Sequence, residues 1–161
     1  MASDFLLEID GIKGESSDAK HAGTIEISSF SWGASNPGSA AAGGGMGAGK
    51  VSYQDIHFTT SVNKSSPLLA LHCSNGQHIK KAVLFVRKAG KDQQEYYTIT
   101  LTDLLVSSYQ SGGSEGSSAL PTDQFSLNFS HIKFEYKIQD EKGAVKPGAE
   151  YSWDLKKNVA G

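Results

Sequence analysis

Between Phe125 and Ile138 the chain places apolar residues at alternate positions and changes step once on the way. Phe125, Leu127 and Phe129 fall at odd positions, Ile132, Phe134, Tyr136 and Ile138 at even ones. Successive side chains of a strand point to opposite faces. All seven residues therefore share one face only if an extra residue is inserted midway, as in a β-bulge. The same slip recurs elsewhere. Ile25 and Ile27 give way to Phe30 and Trp32, which places a bulge at Ser28–Ser29. Val51 and Tyr53 give way to Ile56 and Phe58, and Tyr97, Ile99 and Leu101 give way to Leu104 and Val106. Strands that slip midway bend sharply or cross from one sheet to another, so the pattern predicts a tightly curled antiparallel architecture.

The rest of the chain fits that frame. Phe5, Leu7 and Ile9 alternate in a short first strand that ends at Gly11, and the polar stretch Lys13–Gly23 reads as a loop. Ser66, Pro67 and Gly76 are placed as N-cap, first helical residue and C-terminal closure of one short helix, about 67–75. Its buried stripe is expected to be Leu68, Leu71 and Leu69. Ala82–Val86 is continuously apolar and predicts a strand buried on both faces. Arg87–Lys91 turns it back into Glu95–Val106. Gln110–Ser118 and Gln139–Pro147 are polar connections, and Tyr151, Trp153 and Leu155 alternate in a last strand. Seven or eight strands with one helix, and no strand–helix alternation, argue for an all-β, mainly antiparallel barrel. A chain of 161 residues is expected to form a single domain, 1–161.

Several function classes lose support. A net charge of −2 gives no electrostatic reason to expect nucleic acid as a partner. Cys73 is the single cysteine, so no intrachain disulfide forms, which suits a reducing compartment. The N-terminus lacks the basic, apolar and cleavage segments of a secretory signal, and no apolar run reaches membrane-spanning length. The expectation is synthesis and folding in the cytosol, with no membrane insertion.

The segment Gly38–Gly49 departs furthest from globular composition, with six glycines and four alanines in twelve residues. Gly44 to Lys50 nearly spells the phosphate-loop pattern G-x-x-x-x-G-K, but Val51 stands where a magnesium-binding hydroxyl belongs. Moreover, a phosphate loop opens a helix, whereas this segment runs into the strand Val51–Tyr53. Nucleotide binding is rejected on both grounds. The histidines, His21, His57, His72, His78 and His131, show no metal-ligand spacing, although His78 and His131 are free to meet in space. Cys73 lacks a signalled base, the serines lack a nucleophile elbow, and Asp55 and Asp103 form no recognisable pair. Lys80, Lys81, Arg87, Lys88 and Lys91 read as solvated surface, with contact between subunits as the alternative. No catalytic group, metal site or cofactor is expected.

The residues FLLEIDGIKGES-D-KH at 5–21, SFSWG at 29–33, PGS…GGGMGAGKVSYQD at 37–55, VRKAG at 86–90, QEYYTITLTDLLVSSYQSGGS at 94–114, LNF at 127–129 and WDLKKN at 153–158 resemble the Hcp family. These are the haemolysin co-regulated proteins of the bacterial type VI secretion system. The resemblance spans nearly the whole chain with its motifs in order. The departures are Glu150-Tyr151-Ser152 before Trp153, where glycine is more usual, and Met46 inside the glycine run.

The resemblance implies a compact β-barrel with one short helix, assembling as six-membered rings that stack into a tube. The tube works with sheath, baseplate and spike components, carries small effector proteins in its lumen, and leaves the cell without a signal peptide. Some family members carry enzymatic extensions, and a chain closing at Gly161 soon after WDLKKN is expected to have none.

Two expectations join the resemblance to the residues. If Phe30 and Trp32 face the core, Ser31 faces away from it and is assigned to the lumen wall. Gly38, Gly43, Gly44, Gly45, Met46, Gly47, Gly49 and Lys50 are assigned to a loop meeting a neighbouring subunit or the next ring, where glycine permits close backbone approach. The competing readings are a monomeric ligand-binding barrel, which requires an apolar internal cavity, and an enzyme.

Overall fold

The computed structural model describes residues 3–37, 50–88, 94–116, 118–140, 142 and 144–161. Two strands of 18 residues each organise it: β8 (Glu95–Gly112) and β9 (Thr122–Gln139), paired antiparallel along their length. The first half of β8 also pairs with β7 (Ile79–Lys88), which pairs with β1 (Ser3–Ile9), which pairs with β2 (Ile25–Ile27). The free edge of β9 is shared. Its first half takes β6 (Ile56–Ser61), which in turn pairs with β3 (Ser29–Ser31). Its second half takes β10 (Val145–Asp154), extended by β11 (Val159–Ala160). A small hairpin of β4 (Ala34–Ser35) and β5 (Ser52–Tyr53) stands apart, and the only described helix, α1 (Ser66–Asn75), packs on β8.

The phase slips do what the alternation demands. Ile27 ends β2, Ser28 stands outside both strands, and β3 begins at Ser29. The chain thereby turns from pairing with β1 to pairing with β6. Leu101 and Leu104 are both buried because Asp103 between them adopts a left-handed φ of 50°. The slip on β9 lies directly opposite: Thr102 pairs with His131 and Leu104 with Phe129, so both strands change phase together and the register is kept. A further shift at Ser107, between Val106 and Ser108, was not signalled by hydrophobic alternation.

The antiparallel, one-helix expectation holds, with one correction: the sheet is not closed into a barrel. β2 pairs only with β1 and β3 only with β6, so the hydrogen-bonded path has ends, and the turn at Ser28 joins its two parts covalently. The described strands number eleven, because the runs read as single strands over 24–33 and 50–62 are each broken in two and the short β4 and β11 lie outside any run read as a strand.

The core lies inside this curl. Leu7, Ile9, Ile25, Ile56, Leu84, Ile99, Leu127 and Ile132 are all fully buried, each contributing about 1.5–3 kcal/mol of burial free energy. Ala82–Val86 is covered on both sides as expected, and the second cover is the stretch called a loop. Residues 13–23 fold back as a strap, tied by Gly14 N–H to Gly23 O at 2.8 Å and Ser16 N–H to Thr24 O at 3.0 Å. A Cβ on Gly14 would stand 2.4 Å from the Thr24 carbonyl oxygen, which is why glycine is required there.

Arg87 is a second correction. It is 3% exposed rather than solvated. Its guanidinium grips Asp18 of the strap through both terminal nitrogens and reaches Asp4 at 3.4 Å. The Arg87 guanidinium, aided by the amides of Lys20 and His21, holds the Asp18 carboxyl well down, at about 2. His21 completes the strap, stacked on Phe85 at 4.2 Å with Nε2 on the Glu95 carboxylate.

The helix is also redrawn. It starts at Ser66, with Ser65 as N-cap making no side-chain cap, and Gly76 closes it at φ 63°. Its inward face is Ser66, Leu69 and His72, with Leu68 packed on the core, while Leu71 is 52% exposed. His72 turns inward because its Nδ1 bonds the Leu68 carbonyl oxygen at 2.8 Å, which satisfies the ring where a leucine was expected. Ser66 Oγ meanwhile donates to Asp123 of β9.

Candidate assembly surfaces

The half of the sheet formed by β3, β6, β9 and β8 has two faces of opposite chemistry. The registers place Phe30, Phe58, Phe125 and Tyr109 in one row across the four strands. Phe58 and Phe125 stack at 5.2 Å, and this row faces the core. The flanking rows point the other way. They are Ser31, His57, Ser126 and Ser108, and Ser29, Thr59, Gln124 and Gln110. This outer face is built from hydroxyls, amides and an imidazole, with no apolar side chain in either row. Its one nearby carboxylate, Asp55, is engaged by Ser107 Oγ at 2.6 Å and Asn128 Nδ2 at 2.8 Å. Ser31 is exposed here, on the face opposite Phe30, as the alternation required.

This half-sheet ends in two strand edges without partners among the described residues. One is the outer edge of β3. The other is β8 from Leu105 to Gly112, beyond the point where β7 stops at Ile79–Leu104. Exposed edges are commonly blunted by Lys, Pro or bulges. The stretch Leu105–Gly112 carries no charge and no proline, and Leu105 is 37% exposed. The free edge of β10 makes the contrast, because it carries Lys146 and Pro147 and is broken by a register shift at Gly148. A Cβ at Gly148 would meet the Tyr136 carbonyl oxygen at 2.7 Å.

A third surface is the end of the β9–β10 ribbon, which extends beyond the packed core as an arm. Tyr136, Ile138 and Tyr151 are exposed there despite their inward phase. Tyr151 shares a 3.0 Å hydroxyl–hydroxyl hydrogen bond with Tyr53, and burial first, then that bond, pushes its phenol far above the ordinary range. Alternation alone read these residues as core, since it does not report where a strand outruns its neighbours.

The histidines singled out by the sequence lie apart. His78 contacts Asp103 at 3.1 Å, and His131 Nε2 bonds the Gly161 carbonyl oxygen at 2.7 Å, so the two do not share a site. Among the described residues no three His, Cys, Asp or Glu side chains group as metal ligands. Cys73 is half-buried against the core. Lys50 is exposed and precedes β5. Gly38, Gly43, Gly44, Gly45, Met46, Gly47 and Gly49 lie outside the described residues.

The open, mainly antiparallel sheet with one short helix defines an all-β class of fold, and comparison with known proteins gives the family. The family described as "Type VI secretion system effector, Hcp" matches residues 6–136. Protein hcp1 of Pseudomonas aeruginosa is 45% identical over 161 residues, covering 99% of both chains. Among solved structures, one titled "Structure of a type six secretion system protein" superposes with a TM-score of 0.94 at 28% identity, covering 99% of this chain and 100% of the other. Hcp1 from Salmonella typhimurium superposes at 0.80 with 33% identity, covering 99% of each. The chain belongs to the Hcp family of type VI secretion proteins.

Proposed function

We propose that the chain, 1–161 as a single unit, is a structural subunit of the type VI inner tube rather than an enzyme. It forms hexameric rings, the rings stack, and the polar face of β3–β6–β9–β8 lines the lumen. The observation that carries the reading is the pairing of that polar face with two unblunted edges. β8 of one copy pairs with β3 of the next, and each copy contributes four strands. Six copies give 24 strands, and at about 4.8 Å per strand the circumference is about 115 Å and the diameter about 37 Å, before strand tilt widens it. Such a lumen admits a small folded protein. A wall of serine, threonine and glutamine holds cargo by reversible polar contacts, and Ser31 stands in that wall. The sheath, baseplate and spike are the external partners. The protein is made in the cytosol and exported through its own machine. Among the described residues no helix is long and apolar enough to cross a membrane.

The glycine segment 38–49 and Lys50 are proposed to meet a neighbouring subunit, on the composition of the segment alone. The monomeric ligand-binding reading needs an apolar internal cavity. The space inside the curl is instead filled by Phe58, Phe125 and Leu127, and two of the depressions, of about 450 and 370 Å³, are surface clefts bordered by Glu15, Glu26 and Asp4.

Negative-stain images of the purified protein test the ring. Round particles with a stain-filled centre are expected. The variant Leu105→Lys/Ser111→Lys, which blunts the β8 edge without touching the core, is expected to run as a folded monomer by light scattering. Small featureless particles of the parent protein, or rings of the variant indistinguishable from the parent, sink the proposal.

A further inference from the structure

The strap and the arm enclose a cleft of about 410 Å³ that the tube reading does not use, within the range of ligand-binding clefts. Lys20 comes from the strap, Gln94 and Glu95 from the start of β8, Lys137 from β9, and Val145, Lys146 and Pro147 from β10. Each group's state is settled by its neighbours. Glu95 is occupied by His21. Lys133, further along the same face of β9, is neutralised by Glu135 at 3.2 Å and Glu150 at 3.9 Å. Lys20, Lys137 and Lys146 are exposed, and none forms an ion pair among the described residues. Gln94 Oε1 is buried and accepts no hydrogen bond, an uncommon condition for a buried polar atom. The cleft thus offers three ammonium groups, one amide acceptor awaiting an N–H, and an apolar edge at Val145 and Pro147.

We propose that this cleft binds an acidic, extended segment of a partner protein. Its carboxylates meet Lys20, Lys137 and Lys146, and one of its backbone N–H groups donates to Gln94. Pro147 and the shift at Gly148 deny the partner a strand-addition register on β10, so recognition runs through side chains. Because the charges are exposed, they set association rate and selectivity more than raw affinity, and binding weakens as salt rises.

The test is fluorescence anisotropy with the full-length protein and an N-terminally fluoresceinated eight-residue peptide alternating glutamate and serine. Saturable binding at low salt is expected, weakened about tenfold in Lys137→Gln/Lys146→Gln and about threefold in Gln94→Leu. The control Lys156→Gln/Lys157→Gln, which removes the same charge from an exposed turn, is expected to bind like the parent. Three results overturn the proposal. One is no saturable binding at low salt. Another is equal weakening in the control, which reduces the effect to bulk charge. The third is a change in particle mass of the Lys137→Gln/Lys146→Gln protein by light scattering, which assigns the cleft to a second copy of this chain.

Discussion

Asp123 ties the start of α1 and β8 to β9 through two hydroxyls. The residue is wholly buried on β9, and no Lys, Arg or His pairs with it among the described residues. Its carboxylate is held by Ser66 Oγ at the first turn of α1 and by the Tyr109 hydroxyl of β8, which donates at 2.9 Å. Burial, and then the nearby Asp123 carboxylate, push the Tyr109 phenol above its ordinary value, so it remains a protonated donor. Tyr109→Phe keeps the ring in the aromatic row and removes only that donor. Leaving a buried acceptor without its donor costs about 1–3 kcal/mol, which places the loss at about 2 kcal/mol. At about 2–4 °C per kcal/mol for a domain of this size, Tm falls by about 4–8 °C. The assay is thermal and urea unfolding at one fixed protein concentration, because self-association shifts apparent stability. The urea m-value should stay constant, since packing does not change. Ser66→Ala should cost a similar amount, and the double variant should depart from additivity by at least about 0.5 kcal/mol, because both hydroxyls serve one carboxylate. A Tyr109→Phe protein melting within about 1 °C of the parent refutes this account of the anchor.

Three further outcomes follow from the same geometry. Asp18 has its folded pKa depressed to about 2 by Arg87, so the stability it contributes is present above the usual carboxylate value near 3.8 and is lost as pH falls toward 2. Asp18→Asn should therefore lose stability at neutral pH and show a flatter acid limb between pH 4 and 2, and parallel acid limbs would contradict the Arg87–Asp18 assignment. Ser31→Trp should leave ring size unchanged by light scattering while reducing co-purification of effectors, and undiminished retention across several bulky substitutions would remove Ser31 from the lumen wall. Deleting residues 40–48 should leave folded rings that stack poorly, and tubes of normal length by electron microscopy would free the glycine segment from that role.

The aromatic and aliphatic alternation determined the sheet, its antiparallel character and the presence of bends, because a strand's two-residue period is a local property of the chain. It located the Ser28 crossing to within one residue and placed Ser31 on the face opposite Phe30. The glycine run and the ordered motifs from Phe5 to Asn158 carried the family resemblance. Other features depend on neighbours distant in sequence, and no local pattern announces them. Arg87 sits in a run of cations, and it is buried only because Asp18, 69 positions earlier, folds back over β7. Leu71 looked like core and is exposed because His72 found an acceptor one turn back. Alternation reads as strand only as far as Val106, with a polar loop from Gln110, yet β8 runs on to Gly112, and Leu105–Gly112 becomes an open edge because β7 ends at Ile79. Tyr136 and Ile138 keep the inward phase of Ile132 and Phe134, yet lie exposed where β9 outruns the core. The sequence by itself determined which side of each strand is apolar. Only the tertiary structure decided where that apolar side is covered, because coverage is set by which strands stop short and what folds back over them.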